Sequence, residues 1–183
     1  MLRAACEGSL RRLRLDRIDL YQLHAPDPDV PIEESLGAIA QLVEEGKVRH
    51  VGVCNVDEAQ LERARTVLPI VSVQNRYNLR ERSGDGVLDV CERDGIPFMP
   101  WYPLSRGLLG KRRGALGEVA SHHGATPAQI AIAWLLARSP TMLPIPGTSS
   151  PAHLEQNVAA AGLRLRPDDI AALSDGAGEP ATT

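Results

Sequence analysis

The chain has 183 residues, of which 43% are hydrophobic and 23% charged, and its formal net charge is −3. That length closes one compact core, and the balance is that of an ordinary soluble globular protein. The weak negative charge gives no electrostatic reason to expect nucleic acid or an anionic membrane as partner, and no apolar run reaches the roughly 18 residues of a membrane span. The opening stretch MLRAACEGSLRRLRLD lacks the long apolar segment of a signal peptide, and Cys6, Cys54 and Cys91 are odd in number and widely spaced. Neither a disulfide framework nor a zinc site is expected from them, and a reducing cytoplasm is the expected location.

Leu2, Cys6, Leu10 and Leu13 recur at helical spacing, so the chain is expected to open on a helix. IDLYQLH (18–24) reads as a buried strand that Pro26 and Pro28 bring to an end. Residues 31–45 carry the stripe Leu36, Ile39, Ala40 and Val43 and stop at Gly46, the pattern of an amphipathic helix. VRHVGVC (48–54) is a second strand, and Asp57 is placed to cap a helix over 58–68. Ile70 to Val73 is a third strand, followed by a short helix over 86–93. PFMPWY (97–102) reads as a fourth strand, with a Gly- and Arg-rich loop over 103–114 and a helical stretch over 115–123 after it. Thr126 and Pro127 open a clear helix to Arg138, with Pro at its first position. MLPIP (142–146) is the expected last strand. Ser150-Pro151 starts a helix to Ala161, and 167–173 forms a final short one.

Five strand–helix units in alternation imply a parallel α/β sheet with right-handed crossovers. A doubly wound open sheet and a (β/α)8 barrel both satisfy that pattern, but no G-x-G-x-x-G follows any strand. A barrel needs eight units and about 250 residues, so on this reading roughly the first three strands lie outside the chain, which is expected to be a single domain over 1–183 and an incomplete barrel. Functional residues of such a fold gather at the C-terminal ends of the strands. There the chain carries His24, Cys54-Asn55, Gln74-Asn75, Trp101-Tyr102 and Gly147 to Ser150, the last directly before a helix start. Amide side chains, aromatic rings and an anion-ready helix N-terminus suit a heterocycle with a carboxamide at one end and a phosphate at the other.

DLYQLHAPDP (19–28), GVCN (52–55), VQNRYN (73–78), PWYPLSRGLLG (100–110) and IPGTSSPAHLEQN (145–157) stand in this order and at separations that resemble the aldo-keto reductases. The resemblance spans about Ser9 to Leu173 and rests on five motifs together. It implies an NADP(H)-dependent (β/α)8 barrel that reduces aldehydes or ketones to alcohols. His24 would polarise the substrate carbonyl. Asn55 and Gln74, with Cys54 where the family usually has Ser, would hold the nicotinamide carboxamide. Trp101 would stack on the nicotinamide, and Tyr102 belongs to the same cofactor-binding set. Leu104 and Arg106 would line the pyrophosphate. Thr148, Ser149, Ser150 and His153 would face the 2′-phosphate, and Gln156 and Asn157 the adenine. Gly147 and His153 stand where many members have Lys and Arg, which leaves NAD open beside NADP.

The tyrosine proton donor of the family, and the Lys and Asp that tune it, belong to strands that would precede this chain. Lys47 lies before a strand, at the wrong end of a barrel, Lys111 has no tyrosine in fixed relation to it, and Tyr21, Tyr77 and Tyr102 match no proton-donor motif. The alternative to an enzyme is therefore a catalytically inactive half-barrel or interaction module, with self-association through exposed barrel edges. Each site residue also has a plainer role open to it. Asn55 and Gln74 could cap turns, Trp101 could be core as Trp134 is expected to be, and Ser149 and Ser150 could simply cap a helix. Lys111-Arg112-Arg113 reads as a solvated loop, and His122-His123 as a polar helix end with no metal.

Overall fold

A computed structural model describes residues 1–105 and 114–175. It resolves into two compact units, Met1–Asn75 with Gly86–Phe98, and Arg76–Asp85 with Met99–Thr183.

The first unit alternates α1 (Leu2–Leu13), β1 (Ile18–Leu23), α2 (Ile32–Glu44), β2 (Val48–Cys54), α3 (Glu58–Val67) and β3 (Ile70–Gln74), and then takes in α4 (Asp85–Asp94) from Gly86 onward. The strands form one parallel sheet in the order β1-β2-β3. β2 is the middle strand, and its run Val51, Gly52, Val53 and Cys54 is wholly buried, as expected of a parallel strand covered on both faces. Gly52 cannot carry a side chain, because a Cβ there would collide with the Ser72 hydroxyl on β3. The register pairs Leu23 with Val53, Val53 with Val73 and Cys54 with Gln74, so all three strands end at one level. α2 buries Ile32, Leu36, Ile39 and Leu42 on one stripe. α3 starts on a capping box: the Gln60 N–H donates to Asp57 Oδ1 at 2.7 Å, and the Asp57 N–H to Gln60 Oε1 at 3.0 Å. At the opposite end of the sheet, Lys47 Nζ meets Glu7 at 2.7 Å and Glu45 at 3.0 Å, and Arg3 also grips Glu45. Lys47 is thus committed to an ion-pair network at the start of β2.

The second unit contains the segment Arg76–Asp85, α5 (Gly114–His122), α6 (Pro127–Arg138), α7 (Pro151–Ala159), a 3-10 turn (Ala160–Gly162) and α8 (Pro167–Asp175). Thr126 and Gln129 form a second capping box and Pro127 sits in the first turn of α6. α6 is apolar almost all round and buries Ile130, Trp134 and Leu135. Trp134 stacks on Tyr77, with ring centroids 6.2 Å apart and planes at 12°, and its indole N–H donates to Ser174 Oγ. Asp169 is buried and accepts from Arg166 and from His123 Nε2, which must carry its proton because the carboxylate offers only lone pairs.

Three expectations need correction. β1, expected to be a buried strand, buries only Leu23, because among the described residues it is the edge of the sheet. The stretches 97–102 and 142–146 are not ladder-forming strands, and among the described residues only the three-stranded sheet is seen, not a five-unit barrel. Phe98 and Trp101 make isolated parallel bridges to Val73 and Arg76, respectively. The cause is chemical. Pro97 and Pro100 in one stretch, and Pro144 and Pro146 in the other, have no N–H to give to a ladder. The helix expected to reach Ala161 ends at Ala159 and tightens into the 3-10 turn.

Candidate functional site

The first unit gathers His24, Cys54, Asn55 and Gln74 at the C-terminal edge of its sheet, because the register ends the three strands at one level. His24 is the first residue beyond β1 and is exposed. Asn55 takes a left-handed backbone, φ 56°, which Asn tolerates better than most residues. That turn sends its side chain back across the strand ends, where Nδ2 donates to the His24 carbonyl at 3.0 Å. Its N–H donates to the Gln74 carbonyl at 3.0 Å, so the three strand ends are tied together through Asn55. Cys54 is buried and its Sγ–H donates to Gln74 Oε1 at 3.3 Å. Burial pushes the Cys54 thiol up to about 11, so at neutral pH it is a weak hydrogen-bond donor and no nucleophile. With Gln74 Oε1 engaged by the thiol, the amide Nε2 is directed away from Cys54 as a donor, the polarity a carboxamide oxygen requires.

Asn75, placed at the strand end by the sequence but given no role there, has a structural one. It is buried, accepts from the Val56 N–H at 3.1 Å and donates to the Val56 carbonyl at 2.7 Å, clamping the loop that carries Asn55. Nothing in the sequence separates it from its neighbour Gln74; both are amides at a strand end. The loop after β1 borders a cleft lined by Asp27, Val30, Ile32, Gln60 and Arg63. Arg63 is already paired with Glu33, at 2.6 and 2.7 Å.

The second unit holds Trp101, Tyr102 and Leu104, all half-buried. Tyr102 and Ser105 have left-handed backbones, φ 64° and 47°, an uncommon state for residues with side chains. The Tyr102 corner is held by Asn78, whose Nδ2 donates to the Tyr102 carbonyl at 3.2 Å while its Oδ1 accepts from the backbones of Arg80 and Glu81. The Tyr77 N–H donates to the Trp101 carbonyl at 3.3 Å. Arg106 and Lys111-Arg112-Arg113 lie outside the described residues.

At the start of α7, Thr148 Oγ1 accepts from the Ser150 N–H, and Ser150 Oγ accepts from the His153 N–H as N-cap. The helix has no acidic residue in its first turn and no buried residue, so Ser149, His153 and Gln156 are exposed and Asn157 half-exposed. Such a start tolerates an anion. The Ser150 hydroxyl, however, already serves the helix itself.

Neither Tyr77 nor Tyr21 is poised to give up a proton. Tyr77 is fully buried, its hydroxyl donates to Asp85 Oδ1 at 2.6 Å, and burial pushes its phenol upward. Tyr21 lies within β1 and is likewise pushed up by burial. Among the described residues no group of three or more His, Cys, Asp or Glu could hold a metal, and no helix is long and apolar enough to cross a membrane.

Residues 1–176 match the model of the Aldo/keto reductase family, and the chain belongs to that family. It is similar to an uncharacterized oxidoreductase of Schizosaccharomyces pombe, 46% identical over 167 residues that make up 91% of this chain and 55% of that protein. It is also similar to pyridoxine 4-dehydrogenase of Escherichia coli, at 41% identity over 94% of this chain and 62% of the enzyme. Among solved structures, an aldo-keto reductase from Klebsiella pneumoniae in complex with NADPH superposes with a TM-score of 0.85 at 32% identity, covering 99% of this chain and 66% of that one. The chain therefore spans somewhat more than half the length of the curated relatives it matches.

Proposed function

We propose that this chain supplies the carbonyl-polarising and cofactor-holding part of an NADP(H)-dependent aldo-keto reductase that reduces aldehydes or ketones to alcohols. The observation that carries the reading is the tie at the strand ends: Asn55 joins His24 and Gln74, and Cys54 fixes the Gln74 amide. The polarity of that set fits a carboxamide, and the exposed start of α7 fits a phosphate. NADPH, when bound, supplies the hydride. Gln74 and Asn55 would hold and orient the carboxamide, Trp101 would offer a ring face, and Thr148, Ser149 and His153 would meet the 2′-phosphate. His24 would donate a hydrogen bond to the substrate carbonyl oxygen, which makes its carbon more electrophilic. In the barrel frame of the family, this stretch supplies the later strand–helix units, and the cleft beside the loop after β1 borders the substrate.

A second reading, an inactive partial barrel or interaction module, draws on a separate observation. Tyr77 and Lys47 are both committed to structural partners, so neither can act as proton donor or as the cation that tunes one. The two readings part on measurement. These 183 residues alone are expected to show no NADPH-dependent aldehyde reduction; turnover abolished by His24→Ala would overturn that expectation. NADPH binding, followed by cofactor fluorescence, is expected to be weak and to fall about tenfold further in Gln74→Ala, the worth of one hydrogen bond to a half-buried amide. Tight binding that ignores Gln74→Ala would remove the carboxamide assignment. With no Lys or Arg at positions 147 and 153, preference for NADPH over NADH is expected to be modest.

A further inference from the structure

Arg76 follows the strand-end pair Gln74-Asn75 and is exposed. Its guanidinium lies 5.8 Å from the centroid of the Trp101 ring and 5.1 Å from that of Tyr102. The two rings meet edge to face, 6.0 Å apart with planes at 63°. The backbone holds the arrangement: Arg76 bridges Trp101 in parallel, the Tyr77 N–H donates to the Trp101 carbonyl, and Asn78 pins the left-handed Tyr102 corner. Its charge also reaches the Glu81 carboxyl, which is held below its ordinary value first by the Ser83 hydroxyl and backbone and, more weakly, by Arg76. A cation so placed is attracted by the negative face of both rings.

A full positive charge beside an aromatic platform discriminates between ligands by their charge. The nicotinamide ring is cationic in NADP+ and uncharged in NADPH. We propose that Arg76 is a selectivity residue that orients the Trp101 ring and biases it toward the reduced, neutral nicotinamide. The proposal rests on Trp101 being the stacking platform of the proposed function. In a water-like dielectric, a unit charge about 10 Å from another, the reach from a guanidinium on one face of a ring to a cation stacked on the other, is worth a factor of about two in affinity. The effect should shrink as salt screens the exposed guanidinium.

Two measurements on the protein and its Arg76→Gln, Arg76→Lys and Arg76→Glu variants test this. The first needs no cofactor. Trp101 and Trp134 are the only tryptophans, and Trp134 is buried, so acrylamide quenching reports mainly on Trp101. Quenching is expected to rise in Arg76→Gln and to be partly restored in Arg76→Lys. Unchanged quenching in every variant would overturn the Arg76–Trp101 contact, whatever the nucleotides do. The second is the ratio of the Kd values of NADP+ and NADPH. It is expected to fall about twofold in Arg76→Gln and further in Arg76→Glu, with both shifts diminished at high ionic strength. Equal weakening of both nucleotides would reduce Arg76 to a structural support and sink the selectivity. Failure of the unsubstituted protein to bind either nucleotide, with quenching behaving as expected, would remove the platform reading and the selectivity with it.

Discussion

Asn75 shows how one side chain can organise a site without facing a ligand. Its amide satisfies both backbone groups of Val56 inside the protein. Asn75→Ala is expected to leave them unpaired and to cost about 2 kcal/mol, measured by urea unfolding, whereas Asn75→Asp should keep only the bond from the Val56 N–H. A loss well under 1 kcal/mol would mean that water replaces the amide without penalty. Asp169 makes a pH prediction. Its carboxyl is held well below the ordinary carboxylate range, first by the Arg166 side chain and then by His123. A depressed value in the folded state means that the stabilisation is complete above the unfolded value of about 3.9 and is lost as pH falls further. Asp169→Asn should therefore destabilise the protein at neutral pH and flatten its acid unfolding below about pH 4. An acid limb identical to that of the unsubstituted protein would contradict the assignment. At this scale the sequence named His24, Asn55 and Gln74 through their place at strand ends. It did not show that Asn55 binds the His24 carbonyl, because that bond depends on a left-handed turn and on the register between two strands.

The elements followed the sequence where local chemistry is self-contained. Asp57 with Gln60, and Thr126 with Gln129, satisfy helix N-termini through residues three apart, so each start is legible without any knowledge of the rest of the fold. Thr126→Ala is expected to cost about 1 kcal/mol and to speed amide hydrogen exchange in the first turn of α6. An unchanged exchange pattern there would show that packing alone holds the helix start. The apolar stretches 97–102 and 142–146 misled for a related reason. They have the composition of strands, and their prolines remove the donors that a ladder requires. What remains, as at Phe98 and Trp101, is isolated bridging.

For the whole molecule, the sheet is the decisive feature. Among the described residues β1 pairs only with β2, and it leaves Leu20 41% exposed, while Leu13 and Leu15 just before it are more exposed still. An unpaired parallel edge with apolar flanks invites another strand. These 183 residues are therefore expected to self-associate in a concentration-dependent way by sedimentation velocity, and Leu20→Lys should reduce the association. A monomer at all concentrations would show that the edge is protected.

The sequence by itself determined the alternation of helices with the first three parallel strands, the caps Asp57 and Thr126, the family, and which residues stand at the ends of those three strands. Each of these follows from residue type and near-neighbour spacing. Only the tertiary structure decided that Cys54 serves the Gln74 amide and is no nucleophile, that Tyr77 is sealed against Trp134 with its hydroxyl donating to Asp85, and that Arg76 lies beside the Trp101 ring. Those outcomes depend on register, burial and left-handed turns, which bring together residues far apart in the chain and which no local pattern encodes.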